Sequence, residues 1–225
     1  MTDAVPKLET LSAERLREEQ DLTMRTPRRK YGVAARLLFA TMDVFYGKAG
    51  SLAKYRVLEV IARVPYQAWE QVAYIAITHI YRRPDFARRI FERVKETREQ
   101  QDNEQLHLLI FEELTHRQSG REGFIRYRII PQILAFLYYH LSWLLYVVKP
   151  GWSYRLNADF EDHAEHEYMQ FVSDNPQLEE LPHEGCFEEE YGHFDSIADL
   201  IRQIGYDERV HKLESVARMS EPRFR

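Results

Sequence analysis

From residue 32 onward, hydrophobic residues recur at the three- and four-residue spacing of an α-helix. Val33, Ala34, Leu37, Leu38, Ala40, Met42 and Phe45 predict a short helix over 32–47, with Gly47 and Gly50 after it. Leu52, Tyr55, Leu58, Ile61 and Ala62, then Val72, Ile75, Ile77 and Ile80, predict a helical run over 51–81. Pro65 must interrupt or kink that run, because it supplies no backbone N–H. A long charged helix is expected over 86–116, turning apolar at Leu106. Residues 124–149 are the most apolar part, with no formal charge from Ile129 to Val148. Helices over 152–173 and 195–219 flank a loop-like stretch at 174–195, and Gly205 is expected to loosen the last helix. The pattern predicts one all-α domain over 32–219, a flexible N-terminal tail at 1–31 and a short C-terminal tail at 220–225.

Composition narrows the class. A net charge of -5 argues against a nucleic-acid binder. The single cysteine, Cys186, excludes an intramolecular disulfide and a Cys-rich zinc site. The polar start, Met1 to Leu22, lacks the pattern of a secretory signal. Tyr and Trp are plentiful, and both favour boundaries between apolar and wet surroundings. Helix 32–47 is then either a core helix or one lying in a membrane interface, with Arg28-Arg29-Lys30 touching anionic headgroups. Length permits 129–148 to span a bilayer. Gln132, His140, Ser142 and scattered tyrosines favour a bundle helix with a lipid-facing stripe, the other readings being a fully buried helix and a true span.

Candidate chemistry comes from two Glu-x-x-His pairs, Glu104/His107 and Glu208/His211. At this spacing both side chains share one helix face. A four-helix di-iron carboxylate site takes such a pair from each of two helices and a lone glutamate from each of two others. Glu59 or Glu70 can serve as one lone glutamate, and Glu161 or Glu165 as the other. Four carboxylates and two imidazoles suit two iron or manganese ions, whereas a lone thiol suits no copper, haem or iron–sulfur group. His163, His166, Glu112 and Glu113 are expected beside the site or at the surface.

Four strings carry a family resemblance. Leu58-Glu59-Val60-Ile61-Ala62-Arg63-Val64-Pro65-Tyr66 resembles the first ligand motif of the alternative oxidases, in the form found in the plastid terminal oxidases. Asn103-Glu104-Gln105-Leu106-His107-Leu108 is similar to the second, Phe160-Glu161-Asp162-His163-Ala164 with Tyr168 to the third, and Asp207-Glu208-x-x-His211 to the fourth. The resemblance runs from about Val33 to Met219. It implies a ferritin-like four-helix bundle with additional short membrane-interface helices, and a di-iron centre held by Glu59, Glu104, His107, Glu161, Glu208 and His211. It implies oxidation of a membrane quinol, ubiquinol or plastoquinol, with reduction of O₂ to water and no proton pumping. It further implies monotopic attachment to one leaflet of the lipid bilayer and a homodimer. Tyr168 takes the part of a redox-active tyrosine, and Asn103 and Asp207 orient the histidines. Lys54 and Leu58 fall where the family meets the quinol.

The chain departs from the family pattern at three positions. Lys54 replaces an arginine, His163 stands where many members have another residue, and Glu167 replaces a small hydroxyl residue. Its loops are also shorter than those of the plastid enzymes. The rival expectations are a di-iron hydroxylase with a non-quinol substrate, an iron store, and a helical protein without metal.

Overall fold

The computed structural model describes residues 7–117 and 123–220, and all regular structure among them is helical. The order is α1 (Ala13–Arg25), α2 (Val33–Tyr46), α3 (Leu52–Ala62), α4 (Val64–Ile80), α5 (Pro84–Arg117), a π-helical turn (Ile125–Ile129), α6 (Ile130–Val148) and α7 (Pro150–Asp174). A 3₁₀ turn (Pro176–Glu179), the one-turn α8 (Glu188–Tyr191) and α9 (Ile197–Met219) complete it.

Two helix pairs form the bundle. In the first, Tyr55 meets Phe111 and, one turn later on α3, Glu59 meets His107, so α3 and α5 run antiparallel. In the second, Asn157 meets Ser215 and Glu165 meets Arg209, so α7 and α9 also run antiparallel. α5 buries one stripe, Ile90, Val94, Thr97, Gln101, Glu104, His107, Phe111 and Leu114, and leaves its charged remainder to solvent. α9 is buried on nearly every side, which follows from its contacts with α1, α7 and the 3₁₀ turn. Gly205 does not loosen α9: a Cβ there would lie 2.9 Å from Met169 Cε, so the glycine permits close approach of α7. Ser51 and Ser196 cap α3 and α9 through their hydroxyls, at 3.2 and 3.1 Å from backbone N–H groups. Such caps each contribute about 1 kcal/mol.

Pro65 acts as a helix start. The run 51–81 breaks at Arg63, and Pro65 falls in the first turn of α4, where a missing N–H leaves no helical bond unmade. α6 buries Pro131, Ala135, Tyr138, Ser142 and Tyr146 on one stripe. Its other face exposes Ile133, Phe136, Leu137, Leu144 and Val148. α2 likewise exposes Val33, Leu37, Val44 and Phe45. Ile125–Val148 is long and apolar enough to cross a membrane by length and composition, but its inner stripe is occupied by α3, α4 and α7.

Two expectations about the start of the chain are corrected. Residues 13–25, expected in a tail, form α1 against α7 and α9. The basic run 28–30 does not reach outward as a unit. Arg28 pairs with Glu167 at 3.0 Å and Arg29 with Asp159 at 3.1 Å, both carboxylates of α7. The remaining parts of the expected tails, residues 1–6 and 221–225, lie outside the described residues.

Candidate metal centre

Glu59 of α3, Glu104 and His107 of α5, Glu161 of α7, and Glu208 and His211 of α9 converge at the middle of the bundle, each no more than 1% exposed. They form two quartets, Glu59–Glu104–His107–Glu208 and Glu104–Glu161–Glu208–His211, with donor atoms within 4.8 Å of one another. Glu104 and Glu208 belong to both. The histidines cross over: His107 Nδ1 lies 3.0 Å from Glu208 Oε1, and His211 Nδ1 lies 2.7 Å from Glu104 Oε1. Glu59 is wholly buried: nearly every side of α3 is covered, and the carboxylate faces the cluster.

The protein alone leaves this cluster unsatisfied. Both oxygens of Glu104 and Glu208, one each of Glu59 and Glu161, and Nδ1 of both histidines have no hydrogen-bond partner among the described residues. A native core rarely tolerates so many orphaned polar atoms. The charges are equally strained. Burial, then the charge of Glu104, raises the Glu161 carboxyl to about 7. Burial, and after it the charge of Glu104, pushes Glu59 and Glu208 well above the carboxylate range. Burial would raise Glu104 as well, but the flanking His211 and His107 imidazoles hold it below that range. Two multivalent cations between the quartets would relieve both problems. The donor set of four carboxylates and two imidazoles is that of a di-iron carboxylate centre.

Further side chains hold some of these donors from behind. The Tyr168 hydroxyl donates to Glu59 Oε1, across the cluster from Glu161 on its own helix. The Tyr66 hydroxyl donates to Glu161 Oε1 at 2.8 Å. Asp207 Oδ2 lies 3.2 Å from His107 Nε2, and it also accepts from Tyr191 at 2.7 Å and Asn103 at 3.1 Å. Asp207 thus orients the histidine of the other motif, and Asn103 steadies Asp207 without touching a histidine. Tyr66 and Tyr191 are missed by sequence reasoning. Tyr66 lies inside the first motif and could have been flagged there. Tyr191 follows an acidic loop run and carries no such signal.

The competing glutamates have other partners. Glu70 pairs with Arg98 at 2.6 Å and accepts from Gln101. Glu165 accepts from Thr23, Arg209 and Lys212. Asp162, Glu165 and His166 lie close enough to hold a metal ion, but Lys212 and Arg209 already supply cations there. His166 is held between the carbonyls of Asp162 and Thr26. His163 stacks on Phe39 with centroids 3.9 Å apart and contacts Arg28. Glu112 pairs with Arg56 and Arg128, and Glu113 with Arg117. Lys54 is buried, with Nζ 2.9 Å from Asp43 Oδ1 and 3.0 Å from the Gly47 carbonyl, so it ties α3 to the end of α2. Leu58 is buried one turn later, next to Glu59.

Comparison with known proteins fits this geometry. Residues 16–217 match the family described as alternative oxidase. A curated relative from Arabidopsis thaliana, "Ubiquinol oxidase 4, chloroplastic/chromoplastic", is 31% identical over 148 residues, covering 63% of this chain and 37% of that protein. The match thus spans little more than a third of that relative's length.

Proposed function

The chain belongs to the alternative oxidase family, and from that premise we propose that it is a quinol:O₂ oxidoreductase that reduces O₂ to water without pumping protons. The observation that carries the reading is the pair of buried quartets sharing Glu104 and Glu208. Two irons would be held one by each quartet, Glu59 and His107 serving one and Glu161 and His211 the other, with Glu104 and Glu208 available to both. When bound, the iron pair supplies the O₂-reducing site and two of the four electrons that the reaction consumes.

The residues around the pair define the rest of the task. Reducing one O₂ takes four electrons and four protons, which two quinols supply. Tyr168 is fully buried against Glu59, Phe111 and Tyr55, so its hydroxyl proton has Glu59 Oε1 as its acceptor. Burial, then the charge of Glu59, raises its pKa well above that of a free phenol, which keeps the hydroxyl protonated at rest. Tyr168 is assigned as the redox-active residue that gives up this proton together with an electron.

The quinol is proposed to enter from the apolar side. A cavity of about 200 Å³ lies between α2 and α6, lined by Ala34, Leu37, Leu38, Leu134, Tyr138 and Leu141 among others. Tyr138 touches Phe160, the neighbour of Glu161. Lys54 and Leu58 of α3 are assigned to the quinol headgroup by the family resemblance; both are buried and neither lines this cavity, so Lys54 would have to leave Asp43 to reach it. Lys54 then acts as a point charge where a planar guanidinium would make paired hydrogen bonds. The exposed faces of α2 and α6 support attachment to one bilayer leaflet, since a crossing α6 would carry the charged helices behind it into lipid. A homodimer has an apolar face available at Tyr74, Ile75 and Phe91 of α4 and α5. We place the chain in the plastid terminal oxidase branch, supported by Arg63-Val64-Pro65-Tyr66 and the plastid-type relative, and its catalytic domain at 32–219 with α1 laid against it.

Anaerobic Fe²⁺ reconstitution followed by O₂ uptake on quinol addition tests the proposal. Two irons per chain and quinol-dependent uptake, both lost in Glu104→Ala, are expected. Quinol oxidation by iron-free protein would refute it.

A further inference from the structure

The two halves of the cluster are built alike in their ligands and differently behind them. In the Glu59–His107 half both donors are buttressed. Tyr168 donates to Glu59, and Asp207 faces His107 Nε2 at 3.2 Å. Asp207 is itself fixed by Tyr191, Asn103 and Gln203. In the Glu161–His211 half only the glutamate has such a partner. His211 Nε2 is buried and has no hydrogen-bond acceptor among the described residues. The His211 and Tyr66 rings instead pack edge to face, with centroids 5.8 Å apart.

Tyr66 is placed by a network of its own. It is fully buried, and its hydroxyl donates to Glu161 Oε1 at 2.8 Å while accepting from Asn157 Nδ2 at 3.0 Å. Asn157 also reaches Ser215 Oγ at 3.1 Å, one helical turn beyond His211 on α9. The Tyr66 ring packs edge-on against Trp69 at 5.1 Å, and the Trp69 indole N–H is held by Ser153 at 2.8 Å. The phenol can therefore neither rotate nor retreat. It fixes one oxygen of Glu161 and leaves the other, which has no partner, facing the cluster.

We propose that Tyr66 is the positioning residue of the Glu161–His211 half, and that this half takes its metal ion second and more weakly than the Glu59–His107 half. The inference rests on the six-residue ligand assignment. Hydrogen bonds behind a ligand raise its basicity and fix its orientation, and removing one typically costs 10- to 100-fold in metal affinity. A histidine with no acceptor lacks that support, so the load of orienting the second ion falls on Tyr66 and Glu161.

The test is a titration of the metal-free full chain with Co²⁺ alone, followed by visible d–d absorption and by calorimetry. Wild type should bind two Co²⁺ in two resolved steps. Tyr66→Phe should leave the first step unchanged and weaken the second 10- to 100-fold. Asp207→Asn should weaken the first step by a similar factor. Asn157→Ala keeps the phenol but removes its support, and should weaken the second step only. It also serves if the phenylalanine variant fails to fold. Equal loss in both steps, no loss in either, or two identical steps in wild type would overturn the proposal while leaving the ligand assignment intact. Wild type that binds no Co²⁺ would remove the assignment itself and the proposal with it.

Discussion

Stripping the metal should make the protein's stability fall as pH rises from 5 to 8, and restoring it should abolish that slope. Glu161 shows the size of the effect. Its carboxyl sits at about 7 in the metal-free fold against an ordinary value of 4.5. Between those values the folded chain holds a proton that the unfolded chain has released. Stability therefore declines across this interval, by about 3 kcal/mol in all at about 1.4 kcal/mol per pH unit. Glu59 and Glu208 are raised in the same direction. His107 and His211 are raised too: burial opposes this, but Asp207 and Glu104, respectively, outweigh it. Their contribution is full below the ordinary histidine value and is lost as pH climbs through the folded one. Within the cluster Glu104 alone is lowered, and what it contributes is lost only at acid pH, below the range considered. Away from it, burial lowers His163 to about 3, which acts in the opposite sense below the ordinary histidine value. That effect is the same in metal-free and iron-loaded protein, so the cluster's slope is the difference between the two. For a chain of this size, about 3 kcal/mol corresponds to roughly 6–12 °C in Tm. The assay is thermal unfolding of detergent-solubilised protein, metal-free and iron-loaded, at pH 5, 6, 7 and 8. Metal-free protein whose Tm does not fall relative to the iron-loaded protein over this range would refute the reasoning.

Three further outcomes are expected. Tyr168→Phe keeps ring volume and removes the hydroxyl, so iron content should survive while quinol-driven O₂ uptake falls at least tenfold, a barrier increase of about 1.4 kcal/mol or more. Leu16→Ala should destabilise the protein by about 2–5 kcal/mol in urea unfolding, because Leu16 is fully buried between α1 and the bundle; a loss below about 0.5 kcal/mol would return α1 to the status of a loose tail. In sealed vesicles with the protein on the outside, protease should reach the loops at both ends of α6 from that side, and protection of one end would indicate a span.

Most of the helical pattern was legible because the stripes of α2, α5 and α6 are apolar and periodic. Glu-x-x-His pairs were legible for the same reason, since i,i+3 spacing puts both donors on one face. The buried face of α1 was not, because it carries Glu19, Gln20 and Thr23 beside a single Leu16. Those polar groups are matched by Arg209, Arg202 and Glu165. A segment that docks through ion pairs reads as solvated when its partners lie more than a hundred residues away. The choice of Glu59 over Glu70 was hidden likewise: Glu70 lies part-exposed on α4 with Arg98 and Gln101 opposite it. Tyr66 and Tyr191 reach their partners across sequence separations of 95 and 84 residues, which no local spacing records.

The central claim is that quinol electrons carry O₂ to water at the cluster of Glu59, Glu104, His107, Glu161, Glu208 and His211. Turnover of the iron-loaded protein with ¹⁸O₂ and excess quinol tests it most directly. The account predicts two quinols oxidised per O₂ and both labelled atoms recovered in water. Label recovered in an organic product, or one quinol oxidised per O₂ with hydrogen peroxide released, would contradict it.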